Sequence, residues 1–187
     1  MWAAVGANPL PERGILLFFG DHDDVNGCMP TGGCAVQYIV DTSKLRPASL
    51  PLEDFEPLAC CGLDFYDTFE LPDWQSNAAA ALGLSKPESQ IYDRIQAWLS
   101  GDDEAEDPGD RHVSKLFGWP DLVQRDLGEE WAEDPRAGEK LLLQIGWYHD
   151  GAEWQCWGPG GHVYFTLDQQ DVAACRFGRA ALEAQCT

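Results

Sequence analysis

The feature that most constrains the fold is a pair of apolar runs in the last third of the chain. Leu141–His149 and His162–Leu167 are rich in aliphatic and aromatic residues, and a segment rich in glycine and tryptophan, Asp150–Gly161, separates them. Runs of this length, bounded by turn-forming residues, are typical of strands. We therefore expect the two strands to pair as a hairpin with a long connection.

The first half of the chain predicts further strands. Gly14–Asp21 is a continuous apolar run, as in a strand covered on both faces, and Cys34–Val40 is rich in β-branched and aromatic residues, so these two are expected to pair. The loop between them is too long for a tight hairpin. Leu63, Phe65 and Phe69 alternate with polar residues and predict a third strand with one solvent-facing side.

Helical signals begin at residue 85. Ser85–Glu88 matches a capping box with proline in the first turn, because the serine hydroxyl can accept from the backbone while Glu88 reaches back. Ile91, Ile95 and Leu99 follow at four-residue spacing and, with Tyr92 and Trp98, predict one apolar face.

The C-terminal end carries one clear signal and one ambiguous signal. Asp168 precedes a short helical stretch over residues 172–174 and is predicted to cap it. For Arg179–Cys186 two interpretations stand: the alanine and glutamate content favours a helix, whereas the family resemblance described below favours a final strand.

The charge balance limits the classes of partner. Twelve basic residues against 32 acidic residues give a formal net charge of −20. Charge of this sign repels polyanions, so binding to nucleic acid or to an anionic membrane is not expected. The acidic excess serves either solubility or the docking of a basic partner. Residues 102–110 hold six carboxylates and two helix breakers, and we expect an acidic mobile loop over residues 101–111.

Location in the cytoplasm is predicted from the cysteines and from the hydropathy. The seven cysteines form an odd set without CxxC spacing, which does not fit a disulfide scaffold. No run reaches the roughly 18 apolar residues that a membrane-spanning helix needs. The first nine residues lack the basic start of a secretory signal.

Several of these segments, in this order, resemble the YwqG-like family, bacterial proteins of unknown function. The segments that carry the resemblance are Leu10–Phe19, His112–Gln124, Leu141–Ile145, Trp157–Leu167 and Gln185–Cys186. The resemblance implies a pseudo-duplicated α+β fold with mixed, mainly antiparallel sheets and a few short helices, forming a single domain over residues 1–187. In the family another unit precedes the first of these strands, so the resemblance also implies truncation at the N-terminus. An uncovered sheet edge would then favour self-association or partner binding.

Two groups of residues resemble metal sites without matching one. Asp21–Gly27 gathers oxygen ligands before a glycine, but its spacing departs from the EF-hand loop, and a plain acidic turn is the simpler interpretation. His149, Cys156 and His162 lie on or near the predicted C-terminal hairpin, yet zinc needs a fourth ligand and usually a closer pair. We therefore predict neither a metal nor another cofactor.

The leading functional hypothesis is a non-enzymatic binding protein of the inhibitor or immunity type that captures a basic protein. The chain has eight tryptophans, and tryptophan is enriched at the energetic centres of interfaces. The residues proposed for binding are four tryptophans and five carboxylates: Trp119, Trp147, Trp154, Trp157, Asp102, Asp103, Glu104, Glu106 and Asp107.

Two alternatives remain open. One is a hydrolase or other small-molecule enzyme that uses His112 and His162 with a carboxylate, which requires these groups to converge in a concave pocket. The other is a structural subunit that completes its sheet with another chain. Gly118-Trp119-Pro120 fits a structural corner as well as a binding loop, because proline keeps Trp119 out of the helical region.

Overall fold

The fold is described from a computed structural model. The description covers residues 9–19, 35–47, 62–65, 67–74, 76–100, 114–124, 139–146, 148–149, 154–155, 157 and 161–186. The strands in these ranges are β1 (Ile15–Phe18), β2 (Val36–Ile39), β3 (Lys115–Leu116), β4 (Glu139–Ile145), β5 (Tyr148–His149), β6 (Trp154–Gln155), β7 (His162–Asp168) and β8 (Ala181–Gln185). The helices are α1 (Asn77–Ala80), α2 (Lys86–Ser100) and α3 (Gln169–Ala173), with 3₁₀ turns at Thr42–Lys44 and Phe177–Arg179.

A four-stranded antiparallel sheet in the order β3-β4-β7-β8 is the centre of the fold. The predicted pairing of the two C-terminal runs is therefore confirmed, with Gln144 opposite Tyr164 and Leu143 opposite Phe165. The register shifts between Leu141 and Leu143, so one extra residue of β4 is accommodated there. The predicted first run ends earlier than expected, because β4 stops at Ile145 and residues 148–149 form β5, which pairs with β6.

The predicted pairing of the first two strands is confirmed, because β1 and β2 form an antiparallel two-stranded sheet with Ile15 opposite Ile39. The prediction that the first strand is covered on both faces is wrong. Leu16 and Phe18 pack against the core, but Ile15 and Phe19 are exposed. A two-stranded sheet lying on a larger sheet buries only one of its faces, which is why the continuous apolar run is misleading here.

The hydrophobic core lies between these two sheets. Val163, Phe165 and Leu167 alternate along β7 and form a cluster with Leu182 of β8 and with Phe177. The Phe18 ring meets the Phe165 ring edge to face at 5.1 Å, and Tyr38 meets Phe177 in the same way at 5.4 Å. Edge-to-face contacts match the positive ring edge to the negative ring face, so they fix the first sheet over the second.

Both predicted helix starts are confirmed, with one difference in detail. Asp168 caps α3 by accepting from the backbone N–H of Gln170 at 2.7 Å. At the start of α2, Glu88 accepts from the backbone N–H of Ser85 at 2.8 Å, and the Ser85 hydroxyl donates to the same carboxylate at 2.5 Å. The hydroxyl therefore serves the carboxylate here, whereas a standard capping box uses it to accept from the third helical N–H.

The structure also decides the predictions for the third strand and for the C-terminal tail. The segment holding Leu63, Phe65 and Phe69 is neither strand nor helix, so the predicted third strand is wrong. None of the described sheets includes this segment as a strand, and alternation alone cannot form a strand without a hydrogen-bonding neighbour. For the C-terminal tail, β8 confirms the strand interpretation that the family resemblance favoured.

Candidate functional site

The face of the four-stranded sheet that points away from the hydrophobic core is polar and yet buried. On β7 the polar side chains of this face alternate with the core residues, and side chains of β4 and β8 lie on the same face. Buried polar residues at these positions are Gln144, His162, Tyr164, Thr166 and Gln185. Burial of polar side chains is costly unless they are hydrogen-bonded, so this face requires a polar partner.

Residues 117–124 are that partner, and Asp121 is its centre. Gln144 Nε2 donates to Asp121 Oδ2 at 2.7 Å, and the Asp121 backbone N–H donates to Gln144 Oε1 at 2.9 Å. The Tyr164 hydroxyl donates to the Asp121 carbonyl oxygen at 2.6 Å. Gln185 Oε1 accepts from the backbone N–H groups of Val123 and Gln124 at 3.1 and 3.2 Å. Two glutamines and a tyrosine thus hold an irregular segment flat on the sheet.

The backbone enters this segment through an uncommon conformation. Phe117 and Gly118 both have positive φ, 61° and 79°. The left-handed region is costly for a bulky residue such as phenylalanine, and it persists only where the surroundings enforce it. Gly118 meets a second constraint, because a β-carbon there would collide with the Glu70 carboxylate. Glycine is therefore favoured at position 118 by its φ, and a β-carbon there would also displace the Glu70 carboxylate.

Lys115 ties this turn to the segment that precedes α1. Its Nζ atom contacts Glu70 Oε1 at 2.9 Å and Asp121 Oδ1 at 2.8 Å, and it donates to the Trp119 carbonyl oxygen at 3.1 Å. An ammonium group has three donors, and three acceptors surround it here. Glu70 Oε2 also accepts from the Trp119 backbone N–H at 3.1 Å. Trp119 is consequently held at both its N–H and its carbonyl.

Burial raises the pKa of the Tyr164 hydroxyl, and the negative charges of Asp121, Glu183 and Asp73 raise that pKa further. The phenol therefore remains a hydrogen-bond donor throughout the physiological pH range. Its proton is directed at a backbone carbonyl, and the amides of Gln144 and Gln185 face backbone groups as well. These contacts hold the 117–124 segment in place, and none of them supplies a nucleophile with an adjacent base.

The structure places only some of the predicted tryptophans. Trp119 is half-buried at the turn just described. Trp157 is also half-buried, it packs against the core, and its indole N–H donates to the Gly146 carbonyl at 3.2 Å. Trp154 lies in β6, and nothing is described of its side chain. Trp147 and the acidic residues Asp102, Asp103, Glu104, Glu106 and Asp107 lie outside the described residues.

The histidines proposed for catalysis or for metal binding are only partly described. His162 is buried in β7 and stacks on Tyr164, with ring centroids 6.0 Å apart. His149 lies in β5, whereas His112, Cys156 and the acidic segment Asp21–Gly27 fall outside the described ranges. Within the described ranges, no three residues among histidine, cysteine, aspartate and glutamate are grouped so as to hold a metal ion.

Sequence reasoning missed a second surface, on residues 62–74. Phe65, Phe69 and Trp74 are 73%, 69% and 62% exposed, and Leu63 is exposed as well. Asp64 and Asp67 stand exposed between them. The signal was the alternation of acidic and apolar residues, which we assigned to a strand with one buried face. We call residues 62–74 the acidic–aromatic segment.

The sheets and the 117–124 segment define an α+β protein whose central sheet is covered by hydrophobic packing on one face and by this hydrogen-bonded segment on the other. The chain belongs to the family described as a domain of unknown function, DUF1963, whose model matches residues 3–186. A search among curated proteins finds no match to the chain. None of the helices in the described part of the chain is both long and apolar enough to cross a membrane.

Proposed function

We propose that this protein is a non-enzymatic, acidic binding protein that captures a basic partner protein. The observation that carries the proposal is the exposure of Phe65, Phe69 and Trp74 among carboxylates on the acidic–aromatic segment. Large aromatic side chains favour burial, and three exposed ones within ten residues of an irregular segment are typical of an interaction surface. The surrounding negative charge selects a cationic ligand.

Typical interaction energies assign different roles to the exposed aromatic side chains and to the negative charge. Fully burying a side chain such as phenylalanine contributes about 1.5–3 kcal/mol, so three exposed aromatics supply a useful share of a binding energy. An exposed ion pair contributes about 0–1 kcal/mol and is weakened by salt. We therefore assign affinity chiefly to the aromatic side chains, and association rate and partner choice to the net charge of −20.

The acidic–aromatic segment is attached to the rest of the protein at two points, and this supports its role in binding. Glu70 is fixed by Lys115 and by the Trp119 N–H, and the Pro72 carbonyl accepts from the Tyr92 hydroxyl at 2.6 Å. The exposed side chains on either side of Glu70 are thus presented from a fixed point, which lowers the entropy lost on binding.

The finer assignments belong to the same proposal. We infer a bacterial, YwqG-like member of the family that works in the cytoplasm as an inhibitor or immunity-type protein. The order of the sequence segments that resemble the YwqG-like family and the lack of a cysteine pairing pattern support this inference. In this proposal Trp119, Trp147, Trp154, Trp157 and the acidic residues 102–107 extend the binding surface.

The proposal is tested by capture followed by titration. The immobilised protein is exposed to lysate of its native cell at low and high salt, and the proteins that elute are identified by mass spectrometry. The affinity of a purified candidate is then measured against salt concentration. We expect a basic protein whose affinity falls steeply as salt rises, mainly through a slower association rate.

A charge-neutralised variant and a control variant test which acidic residues contribute to binding. The variant replaces the carboxylates of the first acidic run by their amides: Asp102, Asp103, Glu104, Glu106 and Asp107. The control does the same to a second acidic set: Glu129, Glu130, Glu133 and Asp134. Equal binding by the wild type and by both variants at every salt concentration would refute the electrostatic part of the proposal. Turnover of a small molecule that is lost in a His162 variant of unchanged stability would refute the non-enzymatic part.

A further inference from the structure

Helix α2 carries an apolar stripe that the rest of the described structure leaves exposed. Ile91, Ile95 and Trp98 recur at i, i+4 and i+7, so they lie along one side of the helix. All three are exposed, and Trp98 is exposed to 71%. Tyr92 and Leu99, on the adjoining side, are half-buried. The helix therefore contacts the protein along one side and presents the stripe on another.

Helix α2 and the acidic–aromatic segment are neighbours. The Tyr92 hydroxyl of α2 donates to the Pro72 carbonyl at 2.6 Å, and the exposed Trp74 follows two residues later. Aromatic and aliphatic side chains from two elements thus flank one hydrogen-bonded junction. A surface of this kind is larger than either element provides alone, which brings it closer to the area that specific complexes bury.

Charge decides which occupant suits this surface. Residues 62–100 contain six acidic residues and two basic residues, and Asp64 and Asp67 are exposed among the apolar side chains of the acidic–aromatic segment. On α2 the exposed residues that flank the stripe are Glu88 on one side and Arg94 on the other. A second copy of this chain would bring another net charge of −20 to the same surface, and like charges in juxtaposition oppose association. A cationic ligand is attracted by the same negative charge. The helical period of the stripe matches a ligand with its own apolar residues at i, i+3 or i+4, and i+7.

We propose that α2 and the acidic–aromatic segment together dock a basic amphipathic helix of a partner protein. The apolar side of that helix packs on Ile91, Ile95 and Trp98, and its lysine and arginine side chains face Glu88 on one side of the stripe and Asp64 and Asp67 of the acidic–aromatic segment. This inference rests on the proposed function, and it adds the location of the docking surface and the shape of the ligand.

The test uses a synthetic helix of leucine and lysine as the probe and the full-length protein as the receptor. Affinity is measured by fluorescence anisotropy for the wild type and for the triple variant Ile91→Gln, Ile95→Gln, Trp98→Gln. The triple variant keeps every charge, so a purely electrostatic attachment of the probe would not change. Val40→Gln is the matched control, because Val40 is also an exposed apolar residue but follows β2.

We expect the triple variant to bind the probe at least about tenfold more weakly, which is the usual minimum loss for residues at the centre of an interface. Val40→Gln should bind as the wild type does. A probe with glutamate in place of lysine, and a lysine–glutamine probe without leucine, should both bind much more weakly to the wild type. Thermal unfolding of the triple variant should match that of the wild type, because the three positions are exposed.

Three results would overturn the inference: no binding of the leucine–lysine probe, equal affinity of the triple variant and the wild type, or equal affinity for the glutamate probe. None of them refutes the broader proposal, which depends on the salt-sensitive partner found in lysate. Conversely, the absence of any salt-sensitive partner would refute the proposed function even if the probe binds to the stripe.

The availability of the stripe in the free protein is tested separately. The indole N–H signals of the eight tryptophans are recorded by NMR, and Trp98→Phe identifies the signal of Trp98. A soluble paramagnetic chelate should broaden that signal strongly in the free protein and weakly once the probe is bound. A Trp98 signal that is already protected in the free protein would mean that the chain covers its own stripe, and this would also overturn the inference.

Discussion

Asp121 and Gln144 form a closed pair in which each residue both donates to and accepts from the other. The Gln144 amide donates to the Asp121 carboxylate, and the Asp121 backbone N–H donates to the Gln144 carbonyl oxygen, at 2.7 and 2.9 Å. Gln144 is fully buried near the C-terminal end of β4. The pair therefore fixes the 117–124 segment against the sheet through a glutamine side chain that is shielded from water.

Replacing Gln144 by leucine keeps the size of the side chain but removes both hydrogen bonds. We expect a loss of about 1–3 kcal/mol in the free energy of unfolding, because the Asp121 backbone N–H loses its partner and the Asp121 carboxylate keeps only Lys115. Chemical denaturation measures this loss. Gln37→Leu, at an exposed position of β2, is the control and should change stability by less than about 0.5 kcal/mol. Equal stability of the two variants would contradict the role assigned to the pair.

Gly118→Ala should be more destabilising than Gly83→Ala. Both glycines have positive φ, 79° and 62°, which costs an alanine roughly 1–2 kcal/mol. A β-carbon at position 83 meets open space, whereas one at position 118 would strike the Glu70 carboxylate. The difference between the two losses, measured by thermal or chemical unfolding, reports the collision. Combining Gly118→Ala with Glu70→Ala should cost less than the sum of the single changes, and strict additivity would argue against the predicted collision.

Asp171 should make the stability of the protein depend on pH in the acid range. Burial raises the pKa of this carboxyl, but hydrogen bonding to Arg176 and the charges of Arg176 and Arg179 outweigh that effect and lower it below its usual value. A lowered folded-state pKa means that the unfolded state binds the proton more tightly. The resulting stabilisation is fully present above the unfolded pKa of about 3.9 and is lost as the pH falls through the folded pKa.

Denaturation curves from neutral pH down to strongly acidic pH check this prediction. Asp171→Asn and Arg176→Gln should both be less stable than the wild type at neutral pH and should lose less stability on acidification. Arg46→Gln is the charge-matched control, because Arg46 is exposed and donates to backbone carbonyls of Ser43 and Leu45. A wild-type acid dependence in Asp171→Asn would contradict the assignment.

Tyr92→Phe removes the hydrogen bond between α2 and the acidic–aromatic segment without changing the ring. We expect a local loss of about 0.5–1.5 kcal/mol, the usual net value of a hydrogen bond, seen as faster hydrogen exchange in α2. Exchange in β7 should stay as it is in the wild type, because the core does not depend on this contact. Faster exchange across the whole chain would instead indicate that Tyr92 supports global stability.

The sequence predicted the elements whose signals are local. The cap at Asp168 and the carboxylate of Glu88 reaching back to Ser85 depend on neighbours within a few residues, and the strands around Leu142 and Phe165 are indicated by their own apolar runs. Patterns of this kind are visible in a single chain because capping and alternation act over one turn or one strand.

The parts that sequence reasoning missed depend on distant partners. Gln144 stands within a leucine-rich run, but its pairing with Asp121 spans 23 residues, and that of Gln185 with Val123 spans 62. The acidic–aromatic segment shows the opposite error, because the alternation at Phe65 and Phe69 was correctly noticed but no strand among the described residues pairs with it to form a sheet. The local pattern shows which secondary structure a segment can form, and tertiary contacts determine which one it forms.

The double attachment of Glu70 has a practical consequence. Because one oxygen of this carboxylate holds the Trp119 N–H and the other holds Lys115, a shift of the surrounding chain on ligand capture would alter the surroundings of the Trp119 indole. Comparing the intrinsic emission of the wild type with that of Trp119→Phe would then give a label-free record of occupancy, with the protein serving as its own optical sensor.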